Sequence, residues 1–350
     1  MSAGTPRALF EPPLLTADLP AVGGSVGPEP EDFVVDEMPA VVPSGQGEHL
    51  YVRVQKRLWT TPDMLHAVAR AARVRERDIG SAGMKDKHAV TSQWLSLPPG
   101  ARRPDEWELP DGLEVLEARP GERKLRTGQQ LGNRFRIRLV CVENAGAAAP
   151  IITRLRERGL PNYFGAQRFG RGGNNVAEAI AWLARGAPAE GRRARFYRKL
   201  YPSVVQAGIF NRYLALRSEL GLDHLLEGEV VRLDGSRSVF VVEDPDAELP
   251  RLVSGDIHLT GPITGPRMKQ PEGTPRELEV RATSALGVGS AELELMGRLA
   301  DGTRRDLVAQ VEGLALEPRD DGSLVLDFSL PSGSYATGVL RELTHAPFLR

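Results

Sequence analysis

The 350-residue chain carries 45 basic and 46 acidic residues, a formal net charge of −1, with 41% hydrophobic and 26% charged residues. This is the composition of an ordinary soluble globular protein, long enough for two domains, and the charge balance does not announce a nucleic-acid binder. The single cysteine, Cys141, excludes an internal disulfide, and no run approaches the ~18 apolar residues of a membrane helix. Met1 to Pro20 has prolines and acids where a signal peptide would have an apolar core. The expected setting is therefore the reducing cytoplasm, with no membrane partner.

The first strand expected is Phe33 to Glu37. In 48–56, Leu50, Val52 and Val54 alternate with Tyr51, Arg53 and Gln55, the pattern of a half-buried strand. A helix follows, with Thr61 as N-cap, Pro62 in the first turn, and Met64, Leu65, Val68, Ala69 and Ala72 as its apolar stripe. The loop 80–88 leads into a strand at 89–97, and another strand is expected near 113–119. In 134–142 the period of two is clean: Phe135, Ile137, Leu139 and Cys141 share one face, and Arg134, Arg136 and Arg138 the other.

From about residue 150 the pattern turns helical. A helix is stopped by Gly159 and Pro161, another starts near Asn174, and a third starts near Ser203. Short strands are expected at 229–233, 238–242 and 256–260, and a tight hairpin at 261–265. A helix near 290 precedes a strand at 324–330 and a helix capped by Ser332 or Ser334. Strand-rich, helix-rich and again strand-rich segments suggest one domain interrupted by another.

Three short segments carry candidate chemistry. In Gly80–Trp94, Asp86 lies between Lys85 and Lys87, and flanking cations favour an ionised carboxylate, suited to a nucleophile or electrostatic stabiliser. Small residues at 80–83 would let backbone approach a ligand. In 131–135, Asn133 and Phe135 share a face, and an amide can read an amide-like edge. In 161–175, Tyr163, Phe164 and Phe169 stand among Gln167, Arg168 and Arg171, a loop fit either to grip RNA or to plug a linker. Basic clusters add to these. Residues 119–138 hold seven basic residues and one acid, and 191–201 hold five basic residues, among them Arg192, Arg193, Arg195 and Arg198, with three aromatics. Basic clusters interleaved with aromatics fit phosphates and stackable bases; the competing reading of each is a solvated face. The six histidines are scattered and no metal-binding, P-loop or dinucleotide fingerprint occurs, so neither metal nor cofactor is expected.

Together, Pro30–Glu37, Ser44–Lys56, Gly80–Pro98, Leu131–Leu139, Gly159–Asn175 and Phe328–Leu343 resemble the motif series of the TruD-type tRNA pseudouridine synthases, in order and over nearly the whole chain. The resemblance implies an α+β pseudouridine synthase fold, a mostly antiparallel sheet with flanking helices, formed by 1–158 and 304–350 and interrupted by an inserted TRUD domain at 159–303. It implies isomerisation of a uridine in tRNA, in bacteria the one at position 13, without cofactor, by Asp86. Phe33, Asn133 and Phe328 would contact the flipped base, with Phe135 beside it, and Lys85 is expected with them among the substrate-binding residues. Arg168, Arg171, Arg192, Arg193, Arg195 and Arg198 are expected on RNA, the last four on one wall of a cleft whose other wall would draw on Arg134, Arg136 and Arg138 if their strand face is open. A monomer is expected. The alternatives are a structured-RNA binding protein without catalysis, and a glycoside-cleaving enzyme, which usually needs a second positioned carboxylate.

Overall fold

A computed structural model describes residues 12–170, 173–188, 190 and 193–346. The chain divides into two compact units. One takes in Pro20–Arg156 and Gln310–Ala336; the other takes in the described residues up to Leu19, Glu157–Ala309, and those from Thr337 on.

The chain begins with β1 (Ser25–Val26), β2 (Phe33–Pro39), β3 (His49–Arg57), α1 (Thr61–Ala71), β4 (Gly80–Ser81), β5 (Val90–Leu97), β6 (Leu113–Gly121), β7 (Gln130–Val140) and α2 (Ala148–Arg158). It continues through β8 (Leu160–Pro161), α3 (Asn174–Ala184), α4 (Ala194–Ser218), β9 (Val230–Leu233), β10 (Val239–Val241), α5 (Pro245–Ser254), β11 (Ile257–Ile263), α6 (Gly273–Ala285), α7 (Ser290–Gly297), β12 (Thr303–Asp306) and β13 (Val308–Ala309). Then come β14 (Glu312–Pro318), β15 (Leu324–Pro331) and α8 (Ala336–Thr344).

In the unit containing Pro20–Arg156, one sheet runs β14–β15–β7–β2–β5–β3–β6, with β1 on β7 and β4 on β5. Only β2 and β5 pair in parallel; their neighbours pair antiparallel. This is the α+β arrangement expected. The apolar stripe of α1 (Met64, Val68, Ala69) packs on Val52, Val54, Leu95 and Leu97, the alternate residues of β3 and β5. The helix is capped one residue earlier than its sequence suggests: Thr60 Oγ1 accepts from Asp63 N at 3.2 Å. Strand β3 keeps the expected alternation from Val52 to Arg57, and on its other face Tyr51 is also buried, packing with Trp94 and Leu125 and donating its hydroxyl to Arg123 O at 2.7 Å. Strand β7 ends at Val140, so Cys141 leaves the expected alternation with a φ of 54° and is exposed.

In the other unit, the sheet β10–β9–β11–β12 packs with α3 and α4 around Trp182, Tyr201, Phe210 and Tyr213. Helix α4 starts nine residues before Ser203 and holds Pro202 inside it. Proline forfeits one backbone hydrogen bond, and the long buried face from Tyr201 to Arg217 outweighs that loss. Residues 261–263 are not a hairpin but the end of β11. Gly261 is required there by close packing, since a Cβ would stand 2.8–3.0 Å from Leu307, Tyr213 and Phe210. Arg217 and Glu229, both fully buried, pair at 2.9 and 3.0 Å.

The compact units and the expected domains differ at their edges. Leu15 N and Thr16 N donate to the Glu342 carboxylate at 3.1 and 3.0 Å, and Thr16 Oγ1 donates to it at 2.7 Å. These bonds tie residues 15–16 to α8, and both segments group with 157–309.

Candidate active site

Cross-strand partners in a sheet share a face. Reading the register across β15, β7, β2, β5 and β3 gives one row: Phe328, Phe135, Val35, Thr91 and Lys56. The row above it holds Leu330, Asn133 and Glu37. Arg134, Arg136 and Arg138 therefore occupy the opposite face, as their alternation requires.

Lys56 is the unexpected member of that row. It is fully buried, and its ammonium donates to Trp59 O at 2.7 Å and to Asp86 O at 2.5 Å. Burial pulls its pKa down to about 8; the charge of Asp86 opposes that shift and the charge of Lys85 adds to it. The bond to Asp86 O fixes the backbone of the loop from within the sheet.

The rest of the loop is tied just as firmly. Lys85 N donates to Thr61 Oγ1 at 2.9 Å, and Gln93 Nε2 donates to Gly83 O at 3.1 Å. Lys85 Nζ bonds Glu37 Oε2 and Gln130 Oε1, both at 2.8 Å. The other Glu37 oxygen accepts from Trp94 N at 3.1 Å. Lys85 and Glu37 side chains are almost wholly buried, whereas Asp86, Lys87 and His88 are exposed. The expected cage of two lysines around Asp86 is thus corrected. Lys85 turns away to a buried carboxylate, and Lys56 supplies the cation behind the loop. Glu37 is a second acid near the loop, but both its oxygens are engaged.

The small residues of the loop also do a different job from the one expected. A Cβ on Gly80 would stand 2.4 Å from Leu125 O, and Ala82 is buried. They allow the loop to pack against the protein rather than a ligand to approach it.

The expected base-contacting residues come together. Phe135 and Phe328 stack at 5.3 Å, and Phe33 meets Phe135 edge-on at 6.3 Å. Their exposures are 4% (Phe33), 5% (Phe135) and 1% (Phe328), so they form an apolar floor and offer no open ring face. Asn133 Oδ1 is buried and has no hydrogen-bond partner among the described residues. A buried carbonyl without a donor is costly, and such a group marks a place where a ligand N–H would be accepted.

The basic residues separate into two groups. Arg134 pairs with Asp327 at 2.8 Å, Arg138 with Asp32 and Asp321 at 3.3 and 2.5 Å, and Arg136 with Glu317 at 3.9 Å. These arginines face away from Asn133 and Phe135, and each lies within ion-pair distance of a carboxylate. Arg193, Arg195 and Arg198 are exposed at and near the start of α4. Arg171 and Arg192 lie outside the described residues. Arg168 is half-buried, with its guanidinium 5.9 Å from the centre of the Phe164 ring. Its segment acts as a structural plug: Phe169 is fully buried, Phe164 meets Phe210 edge-on at 5.5 Å, and Asn162 Nδ2 donates to Asp306 O at 3.0 Å.

Comparison with known proteins bears on what this arrangement is for. The profile of the family described as tRNA pseudouridine synthase D (TruD) matches residues 11–188 and 194–343. The chain belongs to the TruD family. A tRNA pseudouridine synthase D of Anaeromyxobacter sp. (strain Fw109-5) is 45% identical over 97% of both chains. One of Thermus thermophilus is 37% identical over 95% of this chain and 91% of its own. The solved structure described as the putative tRNA pseudouridine synthase D of Methanosarcina mazei superposes with a TM-score of 0.74 at 24% identity, covering 97% of each chain, and shows the shared fold.

Within this TruD-family chain, sequence reasoning singled out Asp86, Asn133 and the three phenylalanines as candidates but not Lys56, Glu37, Gln130 or the bond from Thr61 to the loop. Strand alternation alone could have put Lys56 on the buried face with Val52 and Val54, where a lone lysine is unusual enough to flag. No local signal pairs Glu37 with Lys85, 48 residues apart. Among the described residues, no helix is long and apolar enough to cross a membrane.

Proposed function

We propose that this protein isomerises uridine to pseudouridine in tRNA, and that Asp86 is the group acting on the ribose. One observation carries the assignment. The loop bearing the exposed Asp86 is bonded through its own carbonyl to Lys56, on the sheet face that also presents the unpartnered Asn133 Oδ1 and the Phe33–Phe135–Phe328 floor.

A flipped uracil offers an imide N–H that Asn133 Oδ1 can accept, and an apolar ring that the floor can support. The N1–C1′ bond then breaks, with Asp86 either bonding to C1′ or removing the 2′ proton. The base turns, and C5 bonds to C1′ as the Asp86–C1′ bond breaks or the 2′ proton is returned; the C5 proton is released and N1 gains one. The net change is an isomerisation. Phe135 has no hydroxyl and cannot accept the C5 proton, so that base is another group. Glu37 is held by Lys85 and Trp94 N and serves to fix the loop. Extrusion of the nucleotide costs a few kcal/mol, recovered by pocket contacts.

Within tRNA we assign the uridine at position 13, on the family resemblance of the loop and strand motifs. Arg193, Arg195 and Arg198 are our candidates for phosphate contact, and the cytoplasm is the compartment where such a substrate is met. The test is incubation of the pure protein with unmodified tRNA, followed by chemical detection of pseudouridine. Wild type should convert position 13, and a transcript with cytidine there should remain unmodified. Release of free uracil, or binding with no product, would contradict the proposal.

A further inference from the structure

Four aromatic rings form a ladder from the core of the second unit to its surface. Trp182 of α3 lies 5.5 Å from Tyr201 of α4, Tyr201 stacks on Tyr197 at 4.7 Å, and Tyr197 meets Phe196 edge-on at 5.5 Å. Exposure rises along it: Trp182 and Tyr201 are buried, Tyr197 is half-buried, and Phe196 is 59% exposed. Tyr201 is pinned further by its hydroxyl, 3.3 Å from Glu178 Oε2. The outermost ring therefore stands on a rigid support.

Its surroundings are cationic. Arg193, Arg195, Arg198 and Lys199 are all exposed and share the first turns of α4 with Phe196. None of the four makes an ion pair with a carboxylate among the described residues. Other exposed arginines of the chain do, Arg102 with Glu106 and Arg298 with Glu294 among them. Scattered exposed apolar residues are ordinary. A ring held out by three others, on a helix start that carries four exposed cations without ion pairs, has a more specific use, because every nucleobase has a π-face and is flanked by phosphates. A protein partner would need an apolar patch, and here a single ring stands among charges.

We propose that Phe196 is a stacking platform for one unpaired base of the RNA substrate, with Arg195, Arg198 and Lys199 taking the neighbouring phosphates. This rests on the reading of tRNA as substrate and adds to it a second contact point, on the other compact unit. The ring is sequence-tolerant, so it would add affinity rather than choice of base.

The test measures binding of unmodified tRNA to full-length wild type, Phe196→Ala, Phe196→Trp and Arg195→Ala/Arg198→Ala. Phe196→Ala should weaken binding about 5- to 150-fold, the equivalent of the ~1–3 kcal/mol supplied by a stacked base. Its dependence of log affinity on log salt should match wild type, because a ring releases no counterions, whereas the double arginine variant should have a shallower slope. Phe196→Trp should keep affinity, and its added fluorescence should be quenched by tRNA. Wild-type affinity in Phe196→Ala, no quenching in Phe196→Trp, or a change in self-association in place of tRNA affinity would each overturn the platform. Failure of wild type to make pseudouridine would instead overturn the proposed activity, while affinity and quenching would still decide the role of Phe196.

Discussion

Lys56 reaches Asp86 through the backbone: its ammonium donates to the Asp86 carbonyl oxygen at 2.5 Å, from a position with no solvent exposure. The same ammonium holds Trp59 O at 2.7 Å. One buried cation thus clamps the end of β3 and the loop that carries the proposed catalytic group. Lys56→Met fills similar space but donates nothing, leaving two carbonyls short of a donor at about 1–3 kcal/mol each. Thermal stability should drop measurably. Turnover on saturating tRNA should fall by about tenfold or more, because a displacement near 1 Å can cost ~10²-fold. KM should move far less, and steady-state kinetics on a variant still folded by circular dichroism separates the two effects.

The pH dependence of Lys56 has opposite signs for stability and for activity. Its pKa in the fold is about 8, against the usual 10.5. Between those values the folded protein has released a proton that the unfolded chain retains. More protons on the unfolded state means that this group's contribution to stability rises with pH across that window. Turnover, which uses the charged clamp, should fall as pH passes about 8. A profile of kcat from neutral to alkaline pH should show that descending limb without parallel unfolding. In Lys56→Met the limb should be absent from the residual rate.

Breaking the Lys85–Glu37 pair should cost more than removing both partners. Each is almost wholly buried, and stranding a buried charge costs about 3–5 kcal/mol. Glu37→Gln and Lys85→Met should each lower the urea midpoint strongly. The double variant should recover part of the loss, a coupling that a double-mutant cycle reads directly.

Asn133 and Phe328 should separate recognition from packing. Asn133→Ala removes the unpartnered acceptor and should leave stability unchanged or slightly improved while weakening kcat/KM on tRNA. Phe328 is 1% exposed and stacked on Phe135, so Phe328→Ala should cost about 3–5 kcal/mol of stability. Chemical denaturation of the two variants beside their kinetics tests the distinction.

The strands around the site were legible because their alternation survives in the sequence, as in Phe135, Ile137 and Leu139 against the three arginines. Helix α4 was legible only in part, since Pro202 reads as a stop and burial overrides it. The motif around Asp86 located the loop, yet adjacency misassigned its cation. Lys85 is next in sequence but bonds Glu37, and Lys56 is 30 residues away but bonds Asp86 O. Register across β2, β5 and β3 brings those groups together, and register is a tertiary property. The arginines of β7 looked available for phosphate because their acidic partners, Asp327, Asp321 and Glu317, lie on strands and turns nearly 200 residues on.

The central claim is that Asp86 performs the chemistry and Lys56 only positions it. The most direct measurement is single-turnover pseudouridine formation with excess enzyme on unmodified tRNA, comparing wild type with Asp86→Asn at matched, saturating occupancy. Asp86→Asn keeps the side-chain volume and the backbone carbonyl that Lys56 holds, so it should bind tRNA as wild type does and form no detectable product. Pseudouridine formation by Asp86→Asn at a rate near that of wild type would contradict the account.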